Sequence, residues 1–378
     1  MSGHTADGAR QRAAARGPVL RLLAVAVAVL LILVVVWQVA RRDEEVPAAT
    51  GCAGRQTNVI GIVGSEKEAF LRDARVVEIF RCAGLNLRID PDGSLDMVAR
   101  LSAGTAGYDF AFPSSTPAAE KIMEKLGVAE SFRPFSSVMG VATFAPAVEV
   151  LRREKAVETV DGRDVVSIQR LIEMARAGRT WKQIDQASAN GGVVLLRTTD
   201  PADSNSAVMF LLIASAVLNG GKPLAGVDDL PRVMPDLCRL VSYQGQKPDT
   251  SGVLFEEYLT DGVRRTPMAL VYESQFLDRA SRHRVPDGGD HRMLFPNPTV
   301  HAWHTLVPLT GPGGAAGRLL RDDATLKDIA AEYGFRPQGR ALDDRPTPPV
   351  VVEPPDHQVL EAMLGRLESL RKTGTCPP

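Results

Sequence analysis

The sequence predicts an α/β fold, a parallel sheet flanked by helices on both faces and preceded by a single membrane-spanning helix. Three observations carry this. From residue 58 onward, apolar strand-like runs alternate with amphipathic helical runs. The early strands end in clusters of Gly, Ser, Thr, Asn and Asp that open the next helix. The stretch Leu22–Ala40, LLAVAVAVLLILVVVWQVA, holds no charge.

With 378 residues the chain can bury a large core, and 44% hydrophobic with 24% charged residues is ordinary for a globular protein. A net charge of -1 gives no field for capturing nucleic acid, and no basic stripe with interleaved aromatics is present.

Counted from Pro18, the first element reaches the roughly 20 apolar residues that a spanning helix needs. Arg10, Arg12, Arg16 and Arg21 precede it; Arg41 and Arg42 follow, then Asp43, Glu44 and Glu45. That bias predicts a cytoplasmic tail over 1–17, a transmembrane helix over 18–40, a linker over 41–57 and an extracytoplasmic body in a single-pass protein of the cell membrane. A cleaved signal peptide competes, but its apolar core is shorter and a small-residue cleavage site follows it directly; here RRDEE follows.

All four cysteines, Cys52, Cys82, Cys238 and Cys376, fall on the outer side, where disulfides form; four cysteines allow three pairings, and buried free thiols are the competing reading. Cys52 lies just before the first strand and Cys82 at the end of the first helix, at one edge of the sheet. Cys52–Cys82 is therefore the preferred pair and leaves Cys238–Cys376.

The body opens with the strand NVIGIVG and the helix SEKEAFLRDARVVEIFRCAG, which ends at Gly84. Next come the strand LNLRID, the helix LDMVARLSAG, the buried strand YDFAFPSS, the helix PAAEKIMEKLG and the strand VMGVATFAP. A second unit, from about Val165 to Glu273, reads as the helix VVSIQRLIEMARAG, the strand VVLLRTTD, the helices SAVMFLLIASAVLNGG and LFEEYLTDGV, and the strand MALVYES. Beyond it MLFPNPTVHAWHTLVPL carries short strands broken by prolines, GPGGAAG reads as a turn, and LLRDDATLKDIAAEYG is helical with Asp322-Asp323 as an acidic first turn. The last helix, HQVLEAMLGRLESLRK, presents Val359, Leu360, Met363, Leu364, Leu367 and Leu370 as one stripe.

Four strand-to-helix junctions share one chemistry: Gly64-Ser65-Glu66-Lys67, Pro113-Ser114-Ser115-Thr116, Asp203-Ser204-Asn205-Ser206 and the residues after Val271-Tyr272-Glu273-Ser274. In an open parallel sheet, ligands sit beyond the carboxyl ends of the strands, where helix N-termini offer unpaired N–H groups. Any one junction is equally well a helix cap, since Ser, Asn and Asp cap helices whatever the protein does.

VIGIVGSEKEAF, YDFAFPSS, TTDPADSNSAVMF, ALVYESQFL, LFPNPTVHAWHTLVPL and LKDIAAEYGFRP, in that order, resemble the type II periplasmic-binding-protein family, the extracytoplasmic solute-binding proteins. The resemblance covers about residues 58 to 340. It implies two α/β lobes, with lobe I from 58–146 and 268–378, lobe II from 147–267, and VMGVATFAP and MALVYES as the hinge crossings. It implies a small polar or anionic solute held by Ser65, Ser114, Ser115, Ser204, Asn205, Ser206, Tyr272 and Glu273, with Asn205 and Ser206 reaching the ligand and Asp203 or Ser204 capping the helix. Lys67 and Arg197 are nearby basic candidates, with solvated surface charges as the competing reading. With Glu66 and Glu273 at the same rim, a simple oxyanion is not assured. An ABC permease or another envelope protein is the implied partner, and a scaffold that uses the fold without a transported ligand is the alternative.

No GxSxG elbow, GxxxxGK[ST] loop or GxGxxG after the first strand is present, so no enzyme class and no cofactor is indicated. No cysteine or histidine spacing points to a metal; Pro298 and Pro308 make a helix around His301 and His304 improbable, and both histidines read as packing or surface residues.

Overall fold

The computed structural model describes residues 52, 54–105, 107–188, 190–281, 290–342 and 345–376. The expected tail and membrane helix, residues 1–40, lie outside them; no helix among the described residues is long and apolar enough to cross a membrane.

The first part alternates strand and helix: β1 (Thr57–Gly64), α1 (Glu68–Leu71), α2 (Ala74–Cys82), β2 (Leu85–Asp92), α3 (Ser94–Ser102), β3 (Phe110–Phe112) and α4 (Thr116–Leu126). The chain continues through β4 (Phe132–Phe144), α5 (Ala145–Arg153), β5 (Val157–Val160), β6 (Arg163–Ser167), α6 (Ile168–Arg176), α7 (Trp181–Ile184), α8 (Asn205–Leu218), α9 (Leu230–Ser242) and α10 (Ser251–Asp261). It returns with β7 (Met268–Tyr272) and α11 (Glu273–Ser281), then β8 (His291–Asn297), β9 (Thr299–Pro308), α12 (Gly311–Asp322), α13 (Ala324–Glu332), β10 (Arg336–Pro337), β11 (Val351–Val352) and α14 (His357–Thr373).

The strands run in the order β2-β1-β3-β9-β4-β8-β6-β5, with β7 and β10 also pairing with β4 and β11 with β9. β1 is parallel to both β2 and β3, as expected, but β9 lies antiparallel to β3 and β4, so the sheet is mixed. Side chains alternate across β1: Val59 and Val63 join the core of Phe70, Phe80 and Phe335, while Ile62 joins Met97, Leu101 and Ile122 on the opposite face. Helices therefore cover this part of the sheet on both sides. The long strand β4 links two halves of the sheet. Its beginning pairs with β9, from Phe132↔Leu306 to Val138↔His301, and its end pairs with β7, from Met139↔Tyr272 to Thr143↔Met268.

Several elements differ from their sequence reading. The first helix is interrupted at Asp73, whose carboxylate accepts from Arg75 N at 2.8 Å and caps α2 anew. Val165 and Val166 form β6, parallel to β8, so α6 begins only at Ile168. The expected strand VVLLRTTD is an extended segment with single bridges, Thr180↔Val193 and Arg197↔Ala269. A side chain takes the place of a neighbouring strand there: Gln244 accepts from Thr198 N at 3.1 Å and donates to Leu196 O at 3.0 Å. GPGGAAG is no turn but the first two turns of α12, capped by Thr310. Its glycines answer a packing demand, since a Cβ at Gly313 would stand 1.8 Å from Asp109 O and one at Gly317 would enter the Phe132 ring at 2.2 Å. Asp322 ends α12 and Asp323 caps α13.

Helix α8 is buried from Asn205 through Ala216, which fits an apolar sequence without a polar face. Helix α14 buries Val359, Leu360, Met363 and Leu367, with Leu364 and Leu370 half-buried beside them. It is fixed at both ends. Glu361 pairs with Lys121 of α4 at 2.5 Å, and Arg371 makes a bidentate pair with Asp200 at 2.9 and 3.0 Å. Beyond the helix, Cys376 is joined to Cys238 of α9, as expected. Cys52 and Cys82 are also both disulfide-bonded.

Candidate functional site

β1, β2, β3 and β7 all deliver their carboxyl ends to one place. Beyond β1, the turn Ser65–Lys67 folds the Glu66 and Lys67 side chains inward, and Lys67 is fully buried. Beyond β3, Ser114 Oγ donates to Glu66 Oε1 at 2.5 Å and accepts from Lys67 Nζ at 3.3 Å. Lys67 and Glu66 form a direct ion pair. Beyond β2, Ser94 Oγ accepts from Ser114 N at 3.1 Å. From β9 comes His304, also fully buried, with Nδ1 at 3.1 Å from Lys67 Nζ and 3.2 Å from Glu66 Oε1.

The apolar walls set the protonation states. Phe112, Phe135, Phe335 and Tyr272 surround the His304 ring, and the Lys67 ammonium lies 4.9 Å from the centre of Phe112. Burial, reinforced by the Lys67 charge, pushes His304 down to about 4, so the imidazole is neutral near pH 7. Burial alone would raise the Glu66 carboxyl, but Lys67 and His304 outweigh it and hold it below the usual carboxylate range. Burial draws Lys67 down as well, and the Glu66 carboxylate opposes that draw. Each partner thus offsets part of the cost of burying the other.

The start of α8 packs directly onto this cluster. Asn205, the first residue of α8, donates through Nδ2 to Tyr272 OH at 3.0 Å and reaches Ser114 O at 3.5 Å. A Cβ at Gly93 would meet Asp203 O at 2.7 Å, so the backbones themselves touch there. Burial and the Glu66 charge push the Tyr272 phenol far up, which keeps it a hydrogen-bonding hydroxyl.

The eight predicted site residues divide accordingly. Ser114, Asn205 and Tyr272 meet in one network. Ser65 instead lines a cavity of about 380 Å³ beside it, together with Glu66, Gly252, Glu256, Ser274 and Gln275. Ser115 caps α4, accepting from Ala118 N at 3.4 Å. Ser204 stands at the N-cap of α8 without making a capping bond; Thr199 Oγ1 accepts from Ala207 N at 3.1 Å in its place. Ser206 is engaged locally, with its hydroxyl 2.7 Å from Thr199 and 3.1 Å from Ser204. Glu273 is buried in a bidentate pair with Arg336 at 2.6 and 2.7 Å, so its carboxylate is fully engaged there rather than open at a rim. Arg197 donates to the carbonyls of Gln244 and Gln246 at 3.2 and 3.3 Å and pairs with Glu257.

His304 and Ser94 were not foreseen as site residues, and Lys67 is no surface charge. Ser94 had a local signal, the Asp92-Gly93-Ser94 turn after β2. His304 had none, since it lies 237 residues from Lys67.

No family model matches the sequence. No curated protein matches it either. Solved structures do. The sulfate-binding protein SubI from Mycobacterium tuberculosis aligns with a TM-score of 0.53 at 16% identity, over 85% of this chain and 99% of its own. Iron-bound HitA from Pseudomonas aeruginosa gives 0.55 at 11% identity, over 84% and 99%. The chain has the fold of the extracytoplasmic solute-binding proteins. The substrate-binding protein of an ABC transporter from Agrobacterium tumefaciens aligns equally well, at 0.55 and 15% identity over 85% and 96%. At these identities the solute-binding fold is what is shared, two α/β lobes with a cleft between them, and the match extends over nearly the whole length of each relative.

Proposed function

We propose that this protein is a membrane-anchored extracytoplasmic solute-binding protein that clamps a small polar solute between its lobes and catalyses nothing. Lobe I is residues 58–146 and 268–378, lobe II is residues 147–267, and β4 and β7 are the hinge crossings. Residues 18–40 anchor the chain in the cell membrane with the body outside. The observation that carries this reading is Asn205: the first residue of the lobe II helix hydrogen-bonds two groups of lobe I, Tyr272 and Ser114, at the carboxyl ends of β7 and β3. A clamp needs such a contact to hold its closed state. The cavity beside Ser65 is lined from both lobes, by Gly252 and Glu256 on α10 and by Ser274 and Gln275 on α11, and it is the seat we assign to the solute.

The similar proteins support the assignment by name: one binds sulfate, one holds iron, and one serves an ABC transporter. A permease of that class is the partner we propose. A scaffold role in the envelope is the second reading, favoured by one observation: Asn205, Tyr272, Ser114 and Lys67 already satisfy one another.

The test is thermal melting of the full chain in detergent against glucose, glycine, spermidine, sulfate and phosphate. A solute at 100 times its Kd adds about 2.7 kcal/mol of stability. A saturable rise in Tm that Ser65→Ala weakens supports the clamp. No response to any solute, with an envelope protein co-purifying instead, supports the scaffold.

A further inference from the structure

Three polar groups converge on a single buried oxygen beyond the carboxyl ends of β1 and β3. Glu66 Oε1 accepts from Ser114 Oγ at 2.5 Å, pairs with the Lys67 ammonium and lies 3.2 Å from His304 Nδ1. An ammonium, a hydroxyl and an imidazole nitrogen grouped around one oxygen, in an apolar surround of Phe112 and Phe135, make a receptor for an anion. The anion in it belongs to the chain.

Two further features mark this as an occupied seat rather than ordinary packing. Lys67 and His304 are both fully buried, so neither charge nor dipole is shared with water. Moreover, His304 Nε2 is buried and makes no hydrogen bond. Nδ1, which faces Glu66 and Lys67, is thus the ring nitrogen with polar neighbours, so the imidazole's polar contacts are committed to this seat.

We infer that Glu66 is a tethered occupant of the cleft's anion seat: it closes the wild-type seat to free anions, and removing its carboxylate opens the Lys67–Ser114–His304 cradle to a small monocarboxylate. The class follows from charge and size. Glu66 places one carboxylate against Lys67, so a monocarboxylate replaces like with like, whereas a dianion buries a charge that this single lysine cannot match. Glu66→Ala removes a methylene and a carboxylate, the atoms that acetate returns. The placement of the cradle in a solute cleft rests on the clamp reading; the chemistry of the cradle does not.

The experiment is melting of the full chain in detergent, for wild type, E66A, E66Q, K67M and the double variant E66A/K67M, in sodium acetate against sodium chloride at equal ionic strength. E66A is expected to melt below wild type in chloride and to recover saturably with acetate. E66Q, which fills the same volume, and E66A/K67M, which lacks the charge, are expected not to respond. Radiolabelled acetate and sulfate are expected to bind wild type at least tenfold more weakly than acetate binds E66A. The inference is overturned if E66A melts alike, or stays unfolded, in acetate and chloride, or if wild type binds either anion and K67M abolishes it. A solute that stabilises wild type while E66A ignores acetate leaves the clamp standing without this inference. Acetate rescue of E66A with no solute bound by wild type leaves the reverse.

Discussion

The amide of Asn205 and the hydroxyl of Tyr272 stand 3.0 Å apart, although 67 residues separate them in sequence. Asn205 opens α8 and Tyr272 ends β7, so the bond joins a helix buried along most of its length to the end of a buried strand. Both side chains are buried, and neither could lose its partner without cost.

Replacing one member of that pair therefore exposes its worth. Tyr272→Phe leaves Asn205 with only the longer contact to Ser114 O and should lower stability by about 1–2 kcal/mol. A double-mutant cycle with Asn205→Ala, read by denaturant unfolding, should give a coupling of at least 0.5 kcal/mol. Additivity within error would show that the two side chains do not depend on each other.

Glu273 makes a different prediction from the one its position in sequence invites. Its carboxylate is buried against Arg336, and breaking a buried pair from one side costs about 3–5 kcal/mol. Arg336→Ala should thus be severely destabilising, while leaving any residual solute affinity of the folded fraction unchanged. A mild effect on melting joined to a large loss of affinity would return Glu273 to the binding site.

Acid should weaken the fold through His304. Its pKa is pushed from 6.5 down to about 4 by burial and Lys67. Between those values the unfolded chain binds a proton that the folded one does not, so stability falls as pH drops from about 6.5 to about 4. The full effect of this one group is about 3 kcal/mol. Glu66, held below its usual range, adds a loss in the same direction once pH falls below about 4.5. Urea unfolding of wild type and His304→Gln across pH 7 to 4 checks this, with the flatter profile expected in the variant.

The Cys238–Cys376 bond closes a loop of 138 residues and holds α14 against α9. Its removal by Cys376→Ser should cost about 2–5 kcal/mol and expose the C-terminal helix to proteolysis before the rest of the body unfolds. Equal protease resistance with and without the bond would show that the Arg371–Asp200 and Lys121–Glu361 pairs suffice.

Much of this architecture is legible in sequence, for local reasons. β1, β2 and β3 are short apolar runs ending in polar turns, and Ser115, Pro117 and Gly127 bracket α4 with the residues such a helix calls for. What was illegible was set by distant neighbours. Gln244 substitutes for a strand beside Leu196 and Thr198, and Asp109 and Phe132 demand the glycines of α12 that read as a turn. At the site, serine-rich junctions located Ser114 and Asn205, but nothing local joined Lys67 to His304 or Glu273 to Arg336. Buried charges choose partners by space, not by spacing.

The clamp itself is tested most directly by an inter-lobe distance. Spin labels at Val77 on α2 and Val227 before α9, both exposed, report the separation of the two lobes in the full chain. Wild type is predicted to show one dominant short distance, and Asn205→Ala a second, longer one as the lobes part about β4 and β7. Identical single distributions in both proteins would contradict a hinge and, with it, a clamp.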